Sequence, residues 1–299
     1  MISVDSVLVP TDGSASADAT VADAIEFART YGADVHALYV LEEGVDCTDL
    51  GETQREAVAA PSERRGREAT IEVTNRADDS GLESTRAVRE GVAHREILAY
   101  AEEHDVGLIA MGTRGRTGPR RARMGSTTER VLTLGDTSVL SVPLTGRDDV
   151  DDDDDTVDRT IERIVVPTDG SDAADRAAES AVEIASRYDA DVRTVYVVDA
   201  TVYDLSDSPR SIVGLLTEGG ENATEAVAKQ VRERDLEVAT SVRRGVPADE
   251  LLEYASAVDA DLIAMGTRGR AAGAQSDRLL GSTTARAISR STIPVLALQ

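Results

Sequence analysis

Short apolar runs alternate with stretches of helical period along this chain. Ser6 to Val9 is apolar and is closed by Pro10 and Gly13, the mark of a buried strand. From Ser14 to Tyr31, Val21, Ala24, Ile25 and Ala28 fall on one helix face, with Ser14 or Ser16 as a candidate cap. A second strand is predicted over Val35 to Val40. A loop over 41–51 and a polar helix somewhere within 52–78 follow. Leu82 to Val88 reads as a third strand and Ala93 to His104 as a helix carrying Ile97, Leu98 and Ala101. Leu108 to Met111 is a strand that runs into Gly112. Ser126 to Leu134 reads as a helix and Ser138 to Val142 as a last strand.

The pattern then occurs again. Val9-Pro10-Thr11-Asp12-Gly13-Ser14 recurs as Val166-Pro167-Thr168-Asp169-Gly170-Ser171. Leu108 to Arg116 recurs without change as Leu262 to Arg270, and Gly125-Ser126-Thr127-Thr128 recurs as Gly281-Ser282-Thr283-Thr284. Three blocks in the same order mark a tandem duplication. The second copy is expected to place strands near 163–166, 192–198, 236–242, 261–265 and 294–298. Strands alternating with helices predict a parallel sheet covered on both faces, with right-handed crossovers. The expected domains are residues 1–145 and 161–299. Between them, residues 146–160 are so rich in Asp that they read as an extended, solvated linker. A Ca²⁺ loop would space its carboxylates and add a turn-forming Gly.

Charge sharpens the picture. The 299 residues carry a net charge of −24, and aromatic residues make up only 3%, with no Trp. Lys229 is the sole lysine. Such a surface repels nucleic-acid phosphates and anionic membranes, so neither is an expected partner. A generic acidic protein is the plain reading. Adaptation to a high-salt cytoplasm accounts better for abundant Asp and Glu beside scarce Lys, because salt screens the self-repulsion. Cys47 is the single cysteine, which suits a reducing compartment. The N-terminus has no basic n-region or long apolar h-region, and no apolar run approaches the ~20 residues of a membrane helix. The expected location is cytoplasmic.

The candidate chemistry lies in the repeated blocks. Both sit at strand carboxyl ends, where doubly wound sheets bind ligands. Gly112-x2-Gly115-x9-Gly125-Ser126 combines glycines that let backbone approach a ligand with a helix start whose N–H groups favour an anion. Plain turns and an N-cap are the alternative, which the duplication and the strand-before, helix-after context make less apt. Asp12 suits a donor on a base or ribose, and it also complements the start of the following helix. Arg114, Arg116, Arg120, Arg121 and Arg123 crowd one loop, either as solvated charges or as a cationic lid over terminal phosphates. No P-loop is present. His94 and His104 read as helix-surface residues and His36 as a strand residue, without metal-ligand spacing.

These motifs together resemble the universal stress protein (UspA-like) family over both copies. The resemblance implies two tandem Rossmann-like α/β domains, each a five-stranded parallel sheet of order 3-2-1-4-5. It also implies an adenine-nucleotide site, with ATP as ligand, with or without Mg²⁺ or Mn²⁺. In the first copy Asp12 and the backbone of Val40 would hold the adenosine end. Gly112, Gly115, Gly125, Ser126 and Thr127 would hold ribose and phosphates, with Pro10, Thr11, Met111 and Arg114 beside them. In the second copy the corresponding residues are Pro167, Thr168, Asp169, Val197, Met265, Gly266, Gly269, Gly281, Ser282 and Thr283. There, eleven residues instead of nine separate Gly269 from Gly281, so they either bulge outward or shift the helix start. Family members dimerise through the last strand, so the two copies are expected to form an internal pseudo-dimer, with further homo-oligomers open. The implied role is an ATP-binding stress-response or regulatory protein. The rivals are a slow ATPase or autophosphorylating enzyme, with metal near Ser126 or Thr127, and a chaperone-like interaction module. A pyrophosphatase-loop enzyme is disfavoured because no Ser-Gly-Gly-x-Asp-Ser turn occurs.

If salt screening supports this fold, the melting temperature rises steeply from dilute buffer to molar KCl in a thermal scan. A melting temperature indifferent to KCl overturns the high-salt reading.

Overall fold

The computed structural model describes residues 4–41, 52–113, 124–143, 160–201, 210–269 and 279–299. Nearly all of the 41–51 loop, Cys47, Arg114 to Arg123 and all but the last residue of the acidic linker lie outside the described residues. Two compact units form, one within Ser3–Asp158 and one within Arg159–Gln299.

The first unit runs β1 (Ser6–Thr11), α1 (Ala15–Tyr31), β2 (Asp34–Leu41), α2 (Glu52–Asp79), β3 (Ser84–Glu90), α3 (Ala93–Glu103), β4 (Leu108–Gly112), α4 (Ser126–Leu134) and β5 (Ser138–Val142). Every pairing is parallel and the order is β3-β2-β1-β4-β5. The second unit runs β6 (Arg163–Pro167), α5 (Asp172–Tyr188), β7 (Asp191–Asp199), α6 (Arg210–Arg232), β8 (Val238–Gly245), α7 (Pro247–Ala257), β9 (Leu262–Gly266), α8 (Ser282–Arg290) and β10 (Val295–Leu298). Its order is β8-β7-β6-β9-β10, again parallel. In each unit the first two helices pack together and the last two pack together, one pair on each face of the sheet.

Burial follows from that layering. Val7, Leu8 and Val9 of β1 and Leu108 to Met111 of β4 are all buried, as a strand covered on both faces requires. β3 has only half-buried and exposed positions and carries Ser84, Thr85, Arg86 and Arg89, the composition of a solvated outer strand. It begins two residues later than its apolar onset at Leu82. The Leu82 amide instead donates to the Ala77 carbonyl across a left-handed Gly81, closing the end of α2. In the second unit Leu236 likewise donates to Val231, so β8 starts at Val238 rather than 236. Ser14 occupies the N-cap of α1 without a side-chain capping bond, and Ser16 lies inside the helix. Ser171, its counterpart, does accept from the Ala174 amide at 3.2 Å.

One packing device occurs in both units and sets the register of the long second helix. A Cβ on Gly66 of α2 would stand 2.5 Å from the Tyr39 ring of β2, and one on Gly220 of α6 would stand 2.7 Å from the Tyr196 ring of β7. Only a residue without a side chain lets these rings lie against the helix. Four residues on, the buried Thr70 and Thr224 hydroxyls donate to the Gly66 and Gly220 carbonyls at 2.9 and 3.0 Å. Gly219, by contrast, has nothing within 4 Å of its would-be Cβ.

These two neighbouring contexts predict opposite signs for one chemical change. Gly219→Ala is expected to stabilise the second unit by ~0.5–1 kcal/mol through helix propensity. Gly66→Ala is expected to destabilise the first by ~1–3 kcal/mol, because overpacking against Tyr39 outweighs the same propensity gain. Guanidinium denaturation midpoints check both.

Candidate functional site

The ladder between the two central strands of each unit is short. β1 pairs with β2 over six positions, from Ser6↔Asp34 to Thr11↔Tyr39. It pairs with β4 only at Val7↔Leu108 and Leu8↔Ile109, although β1 continues to Thr11 and β4 to Gly112. In the second unit β6 and β9 pair only at Ile164↔Leu262 and Val165↔Ile263. Here the strand order reverses, and the carboxyl ends beyond the last pair form the crevice of a doubly wound sheet. Both repeated blocks lie at it.

The Asp-containing turn organises itself. Asp12 Oδ1 accepts from the Ser14 amide at 3.0 Å, and Thr11 Oγ1 accepts from the Gly13 amide at 3.2 Å. Asp169 and Thr168 repeat this with Ser171 and Gly170 at 3.0 and 3.1 Å. The threonine hydroxyls and one oxygen of each carboxylate thus hold the turn that starts the next helix. Pro10 and Pro167 are half-buried just before the turn. Val40 lies one position beyond the last β1–β2 pair, so its β1-facing backbone edge is left at the crevice. Val197 is likewise beyond the last β6–β7 pair, Pro167↔Val195. Met111 and Met265 are buried core side chains at the ends of β4 and β9.

The glycine block is latched to the following helix. The Thr128 hydroxyl donates to the Gly112 carbonyl at 2.9 Å, and the Gly125 amide donates to the Thr113 carbonyl at 2.8 Å. In the second unit Thr284 donates to Gly266 at 2.9 Å and Gly281 to Thr267 at 2.8 Å. The two extra residues of the second copy therefore leave the helix start where it is in the first. Gly125 and Gly281 bring no capping side chain to α4 and α8, so first-turn amides at Ser126, Thr127, Ser282 and Thr283 remain for solvent or an anion. Thr128 and Thr284 escaped the sequence reading as structural residues, although their place in the repeated Gly-Ser-Thr-Thr blocks was the available signal. Arg114 and Gly115 lie outside the described residues. Their counterparts do not: a Cβ on Gly269 would stand 2.7 Å from Asp169 Oδ2, so the glycine turn closes directly on the aspartate. The two motif blocks of the second unit thus meet.

The histidines need a correction. His94 was expected on a helix surface but is buried on α3, which packs against α4 and β2. Helical period already places it on the face of Ile97 and Ala101, three and seven residues on. His36 Nδ1 lies 3.0 Å from Tyr100 Oη, and either atom donates according to the tautomer. The Tyr100 ring also meets His104 at 4.1 Å and the Arg89 guanidinium at 4.7 Å, and Arg89 is bound to Glu103. Burial lowers the His36 pKa, with a further push from His104 and partial opposition from Asp34. Burial raises that of Tyr100. In the second unit Arg243 over Tyr254, held by Glu250 and Glu253, repeats the arrangement, with Arg193 in place of His36. This cluster packs α3 onto the sheet and includes none of the motif residues. Among the described residues no group of three or more His, Cys, Asp or Glu side chains could hold a metal ion, and no helix is long and apolar enough to cross a membrane.

Two doubly wound α/β units, each with a glycine turn latched to a helix start at the switch point, define a class of parallel-sheet proteins with a carboxyl-end crevice. The chain belongs to the universal stress protein family, whose model matches residues 3–143 and again 160–299. It is 39% identical over 140 residues to a universal stress protein of Methanocaldococcus jannaschii, covering 46% of this chain and 81% of that one. It is 26% identical over 304 residues to one of Mycolicibacterium smegmatis, covering 98% and 96%. A universal stress protein structure from Archaeoglobus fulgidus shares the fold with a TM-score of 0.71 at 22% identity, over 98% of this chain and 96% of that one.

The neutral His36 ring contributes stability that is complete above its ordinary pKa of 6.5 and is lost as pH falls toward its lower folded value. The expected outcome is a melting temperature that drops between pH 7.5 and 5.5 by more in the unaltered chain than in His36→Gln.

Proposed function

We propose that this protein binds adenine nucleotide at the carboxyl-end crevice of its units and serves as an ATP-dependent regulatory protein of the stress response. The observation that carries the reading is the doubled latch. In both units the same amide and hydroxyl bonds tie a glycine turn to an uncapped helix start at the switch point. An anion would find amides and the positive helix end already in place.

The residues fit such a ligand. Asp12 and Asp169 stand in the turns at the crevice, where a carboxylate would meet a ribose or base donor, and the Val40 and Val197 backbones border the same crevice. Gly112, Gly125, Ser126 and Thr127, with Gly115 and Arg114 beyond the described residues, would hold ribose and phosphates. Gly266, Gly269, Gly281, Ser282 and Thr283 would do so in the second unit. Mg²⁺ or Mn²⁺ would supply charge neutralisation on the phosphates, with Ser126 or Thr127 as its nearest hydroxyls. The described residues of the crevice supply backbone amides, hydroxyls and two aspartate turns, an arrangement that supports binding as the activity, with the cytoplasm as the expected location.

Calorimetric titration of ATP in molar KCl with Mg²⁺ tests the reading. Saturable binding at one or two sites, weakened at least tenfold by Gly125→Val through the bulk it adds at the helix start, is expected. No heat and no thermal shift at millimolar ATP would favour the interaction-module reading. Steady phosphate release abolished by Gly112→Ala would favour a slow ATPase.

A further inference from the structure

The two units share a crevice but not the charge beside it. Gly13 has φ +70°, and a Cβ built on it would lie 3.3 and 3.5 Å from Cγ and Cδ of Arg65 and 3.6 Å from Ala69 Cβ. The aliphatic stem of Arg65 therefore lies over the Asp12–Gly13–Ser14 turn. Its position follows from the Gly66–Tyr39 contact, which fixes how α2 crosses β2, so residue 65 must fall on that turn. Arg65 is exposed, and among the described residues it makes no ion pair, whereas its neighbour Arg64 pairs with Glu68 at 4.0 Å. An uncommitted guanidinium is notable in a chain of net charge −24.

The second unit keeps the helix register and changes the charge. Gly220 against Tyr196 and Thr224 on the Gly220 carbonyl match Gly66, Tyr39 and Thr70. The residue before that glycine is now Gly219, with nothing near it. Around it, Glu218 and Glu221 stand where the first unit has Arg64 and Arg67. One turn of helix is thus basic beside the first crevice and acidic beside the second.

We propose that Arg65 is a specificity-determining residue of the first unit. It pairs with phosphate oxygens of the bound nucleotide and makes that crevice selective for phosphorylated over uncharged adenosine ligands, a selectivity the second crevice lacks. The inference rests on the nucleotide reading above. The chemistry is that of a planar guanidinium, which meets two phosphate oxygens at once and, being weakly hydrated, surrenders little on contact. Asp12 holds its place in the turn through the Ser14 amide, and the stem of Arg65 resting on Gly13 keeps the cation at the rim rather than in solution.

The test is titration of the full chain with ATP and with adenosine in molar KCl, in a Gly281→Val background that disables the second crevice. Comparing Arg65 with Arg65→Gln, which removes the charge but keeps Cβ and Cγ with a polar head, and Arg65→Lys, which keeps the charge, isolates the guanidinium. The expected result is an ATP affinity about tenfold weaker in Arg65→Gln, partial recovery in Arg65→Lys and an unchanged adenosine affinity. Equal ATP affinities for Arg65 and Arg65→Gln overturn the inference. So does a matching loss for adenosine, which would put Arg65 against the base. ATP binding by the unmodified chain that vanishes in the Gly281→Val background also overturns it, while leaving the nucleotide reading intact. Absence of ATP binding in the unmodified chain removes the nucleotide reading itself.

Discussion

The central strands of each unit stay hydrogen-bonded to each other for only two positions, and the rest of the site depends on where that ladder stops. β1 must pair fully with β2 to bury its apolar residues, yet β4 enters on its other side to begin the second half of the sheet. Beyond Leu8↔Ile109 the backbones of both strands need other partners. Past β1 the Thr11 and Asp12 side chains satisfy the Gly13 and Ser14 amides of the turn, and at the end of β4 the Thr128 hydroxyl takes the Gly112 carbonyl. Among the described residues, helix-start amides at this end lack a capping side chain, which is why the crevice is suited to an anion.

Duplication exposes which parts of this arrangement are constrained. The latch, the aspartate turn and the tyrosine–glycine contact occur twice with nearly the same distances, and the arginine over a buried tyrosine occurs twice at 4.7 and 5.7 Å. Each is internal to a unit and couples elements that cannot move independently: helix start to strand end, long helix to second strand, third helix to outer strand. The parts that differ face outward or sit at the rim. His36 becomes Arg193 beside the tyrosine, and Arg64, Arg65 and Arg67 become Glu218, Gly219 and Glu221 beside the crevice. The two extra residues before α8 leave the latch from Gly281 to Thr267 in place.

Much of this was legible in the chain before any coordinates. Buried parallel strands are continuous apolar runs, so β1, β2, β4 and β5 announce themselves, and the repeat of the motif blocks names the strand ends that matter. The outer strand was misplaced by two residues because Leu82 is apolar for a different reason: it closes a helix end. His94 shares a helix face with Ile97 and Ala101, so its burial follows from the helical period although its ring is polar. The roles of Thr128 and Thr284 were hidden in a motif whose hydroxyls all looked equally available to a ligand. Tertiary structure commits those two to carbonyls sixteen and eighteen residues away.

Local pattern and internal repetition were enough to determine two α/β units, their strand ends and the residues that gather there, because these depend on burial and on backbone rules acting over a few residues. Only the tertiary structure decided which polar groups at those ends are consumed by the fold and which are left over. It alone brought Arg65 onto Gly13 and Gly269 onto Asp169, since those contacts join segments about fifty and a hundred residues apart through the packing of a helix on a sheet and the meeting of two strand ends.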